Sequence, residues 1–208
     1  LVTCRLNDNT EAENAFQYYD RPTTIFTGSD SVKAGKFSFS FAVPRDINYS
    51  NGNGLINVYA VNDDHDHIVH GSCDRFLVGG SAELTNDSIG PSIYCYLNSP
   101  SFENGGRVNS TPYFVARLTD KDGINVSGSG IGHNLELIID GDMNKTYVLN
   151  DNFQYEFGSY TSGSTYYNIP PLAPGKHRLQ FKAWDILNNS STTWLDFEVA
   201  KGLRPNLF

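Results

Sequence analysis

The sequence predicts an all-β fold built from two antiparallel β-sandwich domains, with no significant helix. Apolar and polar residues alternate in many short runs, which is the period of a half-buried strand. Only 18% of the 208 residues are charged. Asn, Ser, Gly, Tyr and Phe are frequent instead, and this composition favours strands joined by polar turns.

The first predicted domain, a β-sandwich, covers residues 1–85. The run KFSFSFAVP places Phe37, Phe39 and Phe41 on one face with serines opposite, and the run GLINVYAV repeats this alternation up to Val61. Asn-Gly pairs lie between the two runs and tolerate the positive φ angles of tight turns. The sequence therefore predicts that the two runs form one long hairpin.

The second predicted domain covers residues 86–202 and is immunoglobulin-like, followed by a tail at 203–208. The boundary is placed where residues 79–91 lose periodicity and collect Gly, Ser, Asn and Asp. Seven short strands follow in about 110 residues, as in an immunoglobulin-like sandwich. The predicted strands are PSIYCYLN, PYFVARLTD, HNLELIID, KTYVLND, STYYNI, KHRLQFKAWD and TTWLDFEVA.

The alternation in three of these strands also predicts which side chains enter the core. The expected inward residues are Phe114, Ala116 and Leu118, then Leu179, Phe181 and Ala183, and finally Leu195, Phe197 and Val199. We expect Trp184 to pack in the core as well, where its indole N–H would require a hydrogen-bond partner.

The net charge of -8 and a pI near 5.0 exclude two classes of partner. Nucleic acids and anionic membrane surfaces are polyanions, and they repel an acidic chain without a basic stripe. The apolar runs are short, so the sequence predicts no transmembrane segment.

The densest group of potential metal ligands is the run NDDHDH, which contains Asp63, Asp64, His65, Asp66 and His67. Carboxylate oxygens suit calcium, and imidazoles suit zinc. The same run also fits a hairpin turn, because Asp is favoured in turns and solvated charge there costs little. We favour the turn and expect no cofactor, with calcium or zinc at these five residues as the alternative.

A second acidic run, DKDGIN, begins like a calcium-binding loop. It lacks the third ligand before the glycine and the distal glutamate of such loops. The sequence therefore predicts a turn at the end of a strand, with Gly123 at positive φ.

The run GSGIGHNLELIIDG raises the question of a catalytic histidine at His133. An extended strand separates His133 from Asp140, and at about 3.3 Å per residue the two are roughly 20 Å apart. They cannot form a dyad with each other, so we interpret His133 as part of a structural loop.

Three cysteines, Cys4, Cys73 and Cys95, are an odd number at wide spacing. This pattern gives neither a disulfide framework nor a zinc signature. Cys4 and Cys95 lie in apolar-alternating runs and are expected to pack as small hydrophobic residues. Cys73 lies near three histidines and is the candidate for a reactive thiol, but the sequence assigns no catalytic residue.

Several motifs together resemble a known family. FTGSDSVKAGKFSFSFAVPRDINYSNGNGLINVYA, VGG, DSIGPSIYCYLNSPSFENGG, DKDGINVSGSGIGHNLELIIDG and LAPGKHRLQFKAWDILNNSS follow one another in this order. They resemble the region after the catalytic domain in the type IX secretion system sortases of the PorU family, which are gingipain-like cysteine peptidases of Bacteroidetes. The resemblance runs from about Ile25 to Val199.

The resemblance implies a protein of the outer membrane and cell surface, with an upstream peptidase domain that cleaves C-terminal signals from exported cargo. The family's catalytic His and Cys lie in that upstream domain, so no catalytic residue is carried over and this chain is expected to be non-catalytic by itself. The implied partners are outer-membrane secretion-system proteins, cargo signal domains and the parent catalytic domain.

Two other functions also fit the sequence. The chain could be a free-standing surface adhesin or glycan-binding module, in which Tyr94, Tyr96, Tyr166 and Tyr167 stack on sugar rings. Alternatively, the parent could be an ordinary secreted gingipain-type endopeptidase.

Overall fold

The computed structural model describes residues 2–6, 16–20, 23–45, 47, 52–80, 86–128 and 132–202. Within these ranges the chain is all-β, and its only helices are two single 3-10 turns, Met143–Lys145 and Asn150–Asn152. Neither turn is long enough to cross a membrane, and no other helix occurs in the described part of the chain.

Fourteen strands are present in the described ranges. They are β1 (Val2–Leu6), β2 (Phe16–Asp20), β3 (Ile56–Val61), β4 (Ile68–Cys73), β5 (Ser92–Leu97), β6 (Arg107–Val108), β7 (Tyr113–Thr119), β8 (Ile124–Asn125), β9 (Glu136–Ile139), β10 (Thr146–Val148), β11 (Gln154–Tyr155), β12 (Ser162–Asn168), β13 (Gly175–Asp185) and β14 (Ser190–Val199).

The chain divides into two compact units. Unit 1 comprises Leu1–Thr24, Val32–Lys36 and Asn48–Thr85, and unit 2 comprises Ile25–Ser31, Phe37–Ile47 and Asn86–Phe208. Two short segments from the N-terminal side of the predicted boundary thus pack with the second unit. The sandwich architecture predicted for residues 1–85 stays a prediction, and the tail at 203–208 lies outside the described residues.

Unit 1 contains two antiparallel strand pairs, β1 with β2 and β3 with β4. The predicted hairpin between KFSFSFAVP and GLINVYAV is wrong, because β3 pairs with β4 and residues 37–43 are not a strand. The turn at 62–67 is shorter than the predicted connection, so it closes the β3–β4 hairpin at a lower entropic cost. Alternation showed one apolar face for each run but did not identify its partner.

Unit 2 contains two sheets that share one core. The larger sheet has the order β10-β9-β13-β14-β6, with β8 also paired to β13, and the smaller sheet has the order β11-β12-β7-β5. Every pair in these sheets is antiparallel except β14 with β6. Phe114 of the smaller sheet and Phe181 of the larger sheet meet in the core, with ring centroids 5.2 Å apart.

The seven strands predicted after residue 86 are all present, and the predicted core faces are confirmed. The predicted residues of β7, β13 and β14 are buried, except Leu195, which is half-buried and packs against the core. The prediction that Trp184 packs in the core is wrong, because alternation along β13 places it on the face opposite Phe181 and Ala183, where it is only half-buried. The immunoglobulin-like topology of unit 2 stays a prediction.

Candidate functional site

The NDDHDH run forms the turn between β3 and β4. The Asn62 side chain closes this turn, since its Oδ1 accepts the backbone N–H of Asp66 at 3.1 Å and that of His67 at 2.9 Å. Asn62 Nδ2 donates to Asp66 Oδ1 at 2.6 Å, and His67 Nδ1 lies 2.7 Å from the same oxygen. The side-chain hydrogen bond with His67 and, to a smaller extent, the one from Asn62 lower the pKa of Asp66. His65 adopts the left-handed φ of 57° that a tight turn requires.

The candidate metal ligands at residues 63–67 are all exposed. Across the described ranges, no three His, Cys, Asp or Glu side chains converge so that they could hold a metal ion by themselves. Calcium or zinc binding at these five residues stays a prediction.

The two cysteine side chains that the structure describes occupy different environments. Cys73 is a free, exposed thiol at the end of β4, while Cys95 is free and packs beside the core of unit 2. Burial raises the pKa of the Cys95 thiol to about 11. This thiol is therefore uncharged at neutral pH and weakly nucleophilic. The Cys4 side chain lies outside the described part.

Asp140 pairs with His177, a histidine that no sequence motif singles out. His177 Nδ1 lies 2.8 Å from Asp140 Oδ2, and its Nε2 lies 2.8 Å from the backbone oxygen of Ala173. Both oxygens accept, so both contacts are hydrogen bonds only when the ring carries two protons. Neither nitrogen is then available to activate a nucleophile. The His133 ring instead contacts Trp184, with centroids 4.2 Å apart.

The Asp140 interactions predict how stability depends on pH. Partial burial raises the pKa of Asp140, but hydrogen bonds from His177 and from the backbone N–H of Arg178 outweigh this effect, so the pKa is lowered overall. A lowered folded-state pKa stabilises the fold above the unfolded value of about 3.9, and this contribution disappears as the pH falls through the folded value.

Asp140→Asn should therefore lower the urea midpoint of unfolding at pH 7. The difference in midpoint between the variant and the parent protein should shrink as the pH falls from about 4 to about 2. The matched control is Asp151→Asn, which changes an exposed carboxylate. If the midpoint of Asp140→Asn stayed below that of the parent protein by the same amount down to pH 2, this account would be contradicted.

A shallow depression of about 530 Å³ lies beside this His–Asp pair, on the outer face of the larger sheet of unit 2. Arg178 donates to both carboxylate oxygens of Asp196 at 2.6 and 2.9 Å, and Trp194 Nε1 donates to Gln180 Oε1 at 3.3 Å. These polar groups bind one another across β13 and β14. The charges of Arg178 and Asp196 therefore compensate each other within the depression.

An exposed row of aromatic rings crosses the surface of unit 2, and we call it the phenylalanine row. Phe37 and Phe39 are stacked 6.2 Å apart and are 50% and 42% exposed, and Phe41 follows Phe39 at 6.1 Å. Phe26 links this row to Tyr155 through contacts of 5.3 Å and 4.9 Å. The Phe41 end of the row is thus packed against the sandwich through Phe26, while the Phe37 end faces solvent.

The tyrosines proposed for sugar stacking do not form one platform. Tyr96 is buried, and Tyr167 packs on Tyr147 with centroids 4.7 Å apart. Tyr94 and Tyr166 are exposed, and the Tyr94 hydroxyl donates to the backbone oxygen of Pro100. Only half of the proposed rings are therefore open to a ligand.

Comparison with solved structures gives an informative match. No protein-family model matches this chain, and no curated protein matches it either. The crystal structure of dimeric latent PorU from Porphyromonas gingivalis matches 98% of this chain at 36% sequence identity, with a TM-score of 0.57. An endo-beta-1,4-mannanase from Thermotoga petrophila matches 52% of this chain and 20% of its own, at 11% identity and a TM-score of 0.34, which is too weak to bear on fold or function.

The aligned part makes up very different shares of the two proteins, and this limits what the match shows. Nearly all of this chain aligns, but it spans only 19% of the PorU chain. At 36% identity the likeness extends to sequence as well as to backbone geometry. The chain therefore has a PorU-related fold and is similar to about one fifth of that protein.

Proposed function

We propose that this chain is a non-catalytic accessory region of a type IX secretion sortase at the bacterial cell surface. In this proposal, a gingipain-like cysteine peptidase elsewhere in the parent polypeptide cleaves C-terminal signals from exported cargo. The observation that carries the proposal is the match to PorU at 36% identity over 98% of this chain. Accessory β-domains commonly supply binding surfaces rather than chemistry.

The task proposed for the chain is to hold the peptidase against a partner at the outer membrane. Candidate partners are outer-membrane secretion-system proteins, cargo signal domains and the parent catalytic domain. The phenylalanine row supports a binding role, because exposed large aromatic side chains are enriched at protein interfaces. Phe37 and Phe39 are the open members of this row.

A retention experiment tests this function. The immobilised chain is incubated separately with purified cargo signal domain, with purified outer-membrane secretion-system proteins and with the separately produced catalytic domain. We expect specific retention of at least one of them. Retention of none at micromolar concentrations would overturn the accessory role.

The phenylalanine row gives a sharper prediction for the same assay. The double variant Phe37→Ser and Phe39→Ser should weaken retention at least about tenfold, since central aromatic anchors supply much of an interface's affinity. Its thermal stability should stay close to that of the parent chain, because both rings are already half exposed. Unchanged retention would place the contact elsewhere. The matched control is Phe157→Ser, which changes another exposed ring of unit 2.

A further inference from the structure

An exposed tryptophan lies in the depression on the outer face of the larger sheet of unit 2. Trp194 is 55% exposed, whereas Phe197 of the same strand is buried. Alternation along β14 explains this difference, because side chains at even and odd positions point to opposite faces of the sheet. A single exposed apolar side chain is common on protein surfaces, so the groups around Trp194 decide what it can bind.

The indole of Trp194 is held in place by its neighbour on β13. Gln180 lies opposite Trp194 in the register of the two strands, and Trp194 Nε1 donates to Gln180 Oε1 at 3.3 Å. A ring that is ordered before binding loses little conformational entropy when a ligand stacks on it. Trp194 is therefore a preorganised platform rather than a loose surface side chain.

Hydrogen-bonding groups with unused capacity lie next to this platform. Arg178 and Asp196 face each other one row along the same strands, about 7 Å from the Gln180–Trp194 row. Arg178 uses two of its N–H groups to bind the two oxygens of Asp196. A guanidinium group has further N–H donors, a carboxylate oxygen can accept a second bond, and the amide nitrogen of Gln180 also donates. Donors and acceptors are thus available side by side.

The charges in the depression largely cancel one another. Arg178 is paired with Asp196, and Asp140 is paired with His177. Lys176 adds an exposed ammonium group at the edge of the depression. A charged ligand would therefore meet little net attraction next to Trp194, whereas a hydroxyl group can bond to both members of an ion pair.

The residues of the lining also disfavour other classes of ligand. Trp194 is the only large apolar side chain among the described residues that line the depression. An apolar ligand would remove water from the polar groups without replacing their hydrogen bonds. Nucleic acids stack on tryptophan too, but the net charge of -8 repels a polyanion. A pyranose ring meets both requirements, because it has an apolar C–H face and hydroxyl groups around its edge.

We propose that this depression binds an uncharged saccharide, with one pyranose ring stacked on Trp194. Arg178, Gln180 and Asp196 bond its hydroxyl groups. The volume of about 530 Å³ lies within the range of about 300–1,000 Å³ that is usual for small-molecule sites. This site shares no residue with the phenylalanine row or with the four tyrosines considered for sugar stacking. Saccharide binding here goes beyond the accessory role proposed above and does not depend on the identity of the parent polypeptide.

Isothermal titration calorimetry of the 208-residue chain tests this proposal. The probes are neutral hexasaccharides of glucose, mannose, galactose and N-acetylglucosamine, with hexagalacturonate as the acidic counterpart. We expect at least one neutral probe to bind with a dissociation constant of about 1 mM or below, since a shallow depression buries only part of a ligand. Hexagalacturonate should bind at least about tenfold more weakly, because the chain is acidic.

The two tryptophans of the chain provide a matched pair of variants. Trp194→Ala should weaken binding of the neutral probe at least about tenfold, because it removes the stacking platform. Trp194→Phe keeps an aromatic ring and should retain more affinity than Trp194→Ala. The control is Trp184→Phe on the same face of the sheet, where the ring already contacts Lys182 and His133. This variant should bind like the parent chain.

Three results would overturn the proposal. The first is the absence of binding by every neutral probe at about 10 mM, and the second is equal binding by Trp194→Ala and the parent chain. The third is binding of hexagalacturonate alone that is lost in Lys176→Ala, since this would identify an acidic ligand. Lys176→Ala should instead leave binding of the neutral probe unchanged. If no saccharide bound while Trp194→Ala weakened retention of a protein partner, the depression would be a protein contact and the proposal would also fail.

Discussion

Phe181→Ala should destabilise unit 2 by about 3–5 kcal/mol, the cost typical of removing a buried phenylalanine. Phe181 is completely buried and packs against Phe114 of the opposite sheet, with ring centroids 5.2 Å apart. Truncation would remove this contact and leave a cavity where the two sheets meet. Urea unfolding followed by tryptophan fluorescence measures the loss, because Trp184 and Trp194 both lie in unit 2.

Phe157→Ala is the matched control for this experiment. Phe157 is 66% exposed, so its truncation should change the free energy of unfolding by less than about 0.5 kcal/mol. A loss below about 1 kcal/mol for Phe181→Ala would contradict the two-sheet core described for unit 2.

Asp185→Ala should destabilise unit 2 by roughly 2–4 kcal/mol, because it leaves three partly buried donors without their acceptor. Asp185 is completely buried, and its Oδ1 accepts the backbone N–H of Leu187 at 2.9 Å and that of Asn189 at 2.7 Å. Its Oδ2 accepts Asn189 Nδ2 at 2.8 Å. The measurement is urea unfolding followed by tryptophan fluorescence.

Two variants make this second experiment specific. Asp185→Asn keeps an oxygen for the two backbone N–H groups and should lose much less stability than Asp185→Ala. Asp196→Ala removes an exposed ion pair with Arg178 and should cost little, as is usual for surface pairs. Equal losses for Asp185→Ala and Asp196→Ala would show that the buried hydrogen bonds do not hold the 185–189 loop.

Hydrophobic alternation was sufficient to predict most of unit 2. In β7, β9 and β13 one face is buried against the core, so period-two patterns identify both the strand and its inward side chains. The same reasoning failed for residues 37–43, which also alternate. There, Phe37 and Phe39 face solvent and the segment pairs with no strand. Alternation records that one face is apolar, but it does not specify what covers that face.

The acidic sites show why local motifs were less informative than the strands. DKDGIN on its own lacks enough ligands for calcium, and Gly123 does adopt the positive φ of the predicted turn. The fold brings Asp87, from a loop that is distant in sequence, next to this turn, where its carboxylate pairs with Lys121. NDDHDH has the opposite character, because its ligand types are dense in sequence while Asn62 organises them as an exposed turn.

The pairing of Asp140 with His177 was also invisible in the sequence. His133 lies near Asp140 along the chain, whereas the sheet register places Leu179 opposite Ile139 and so brings His177 to the end of β9. Which strands become neighbours is decided by packing of the whole unit. Only the topology of the larger sheet could reveal this pair.

The mass of the native polypeptide tests the central claim most directly. We propose that this chain belongs to a PorU-type sortase, and it spans 19% of the PorU chain it resembles. An antibody against this chain should therefore detect, at the surface of the source cells, a band about five times larger than 23.1 kDa. A surface band at 23.1 kDa with no larger precursor would contradict the claim and favour a free-standing binding module.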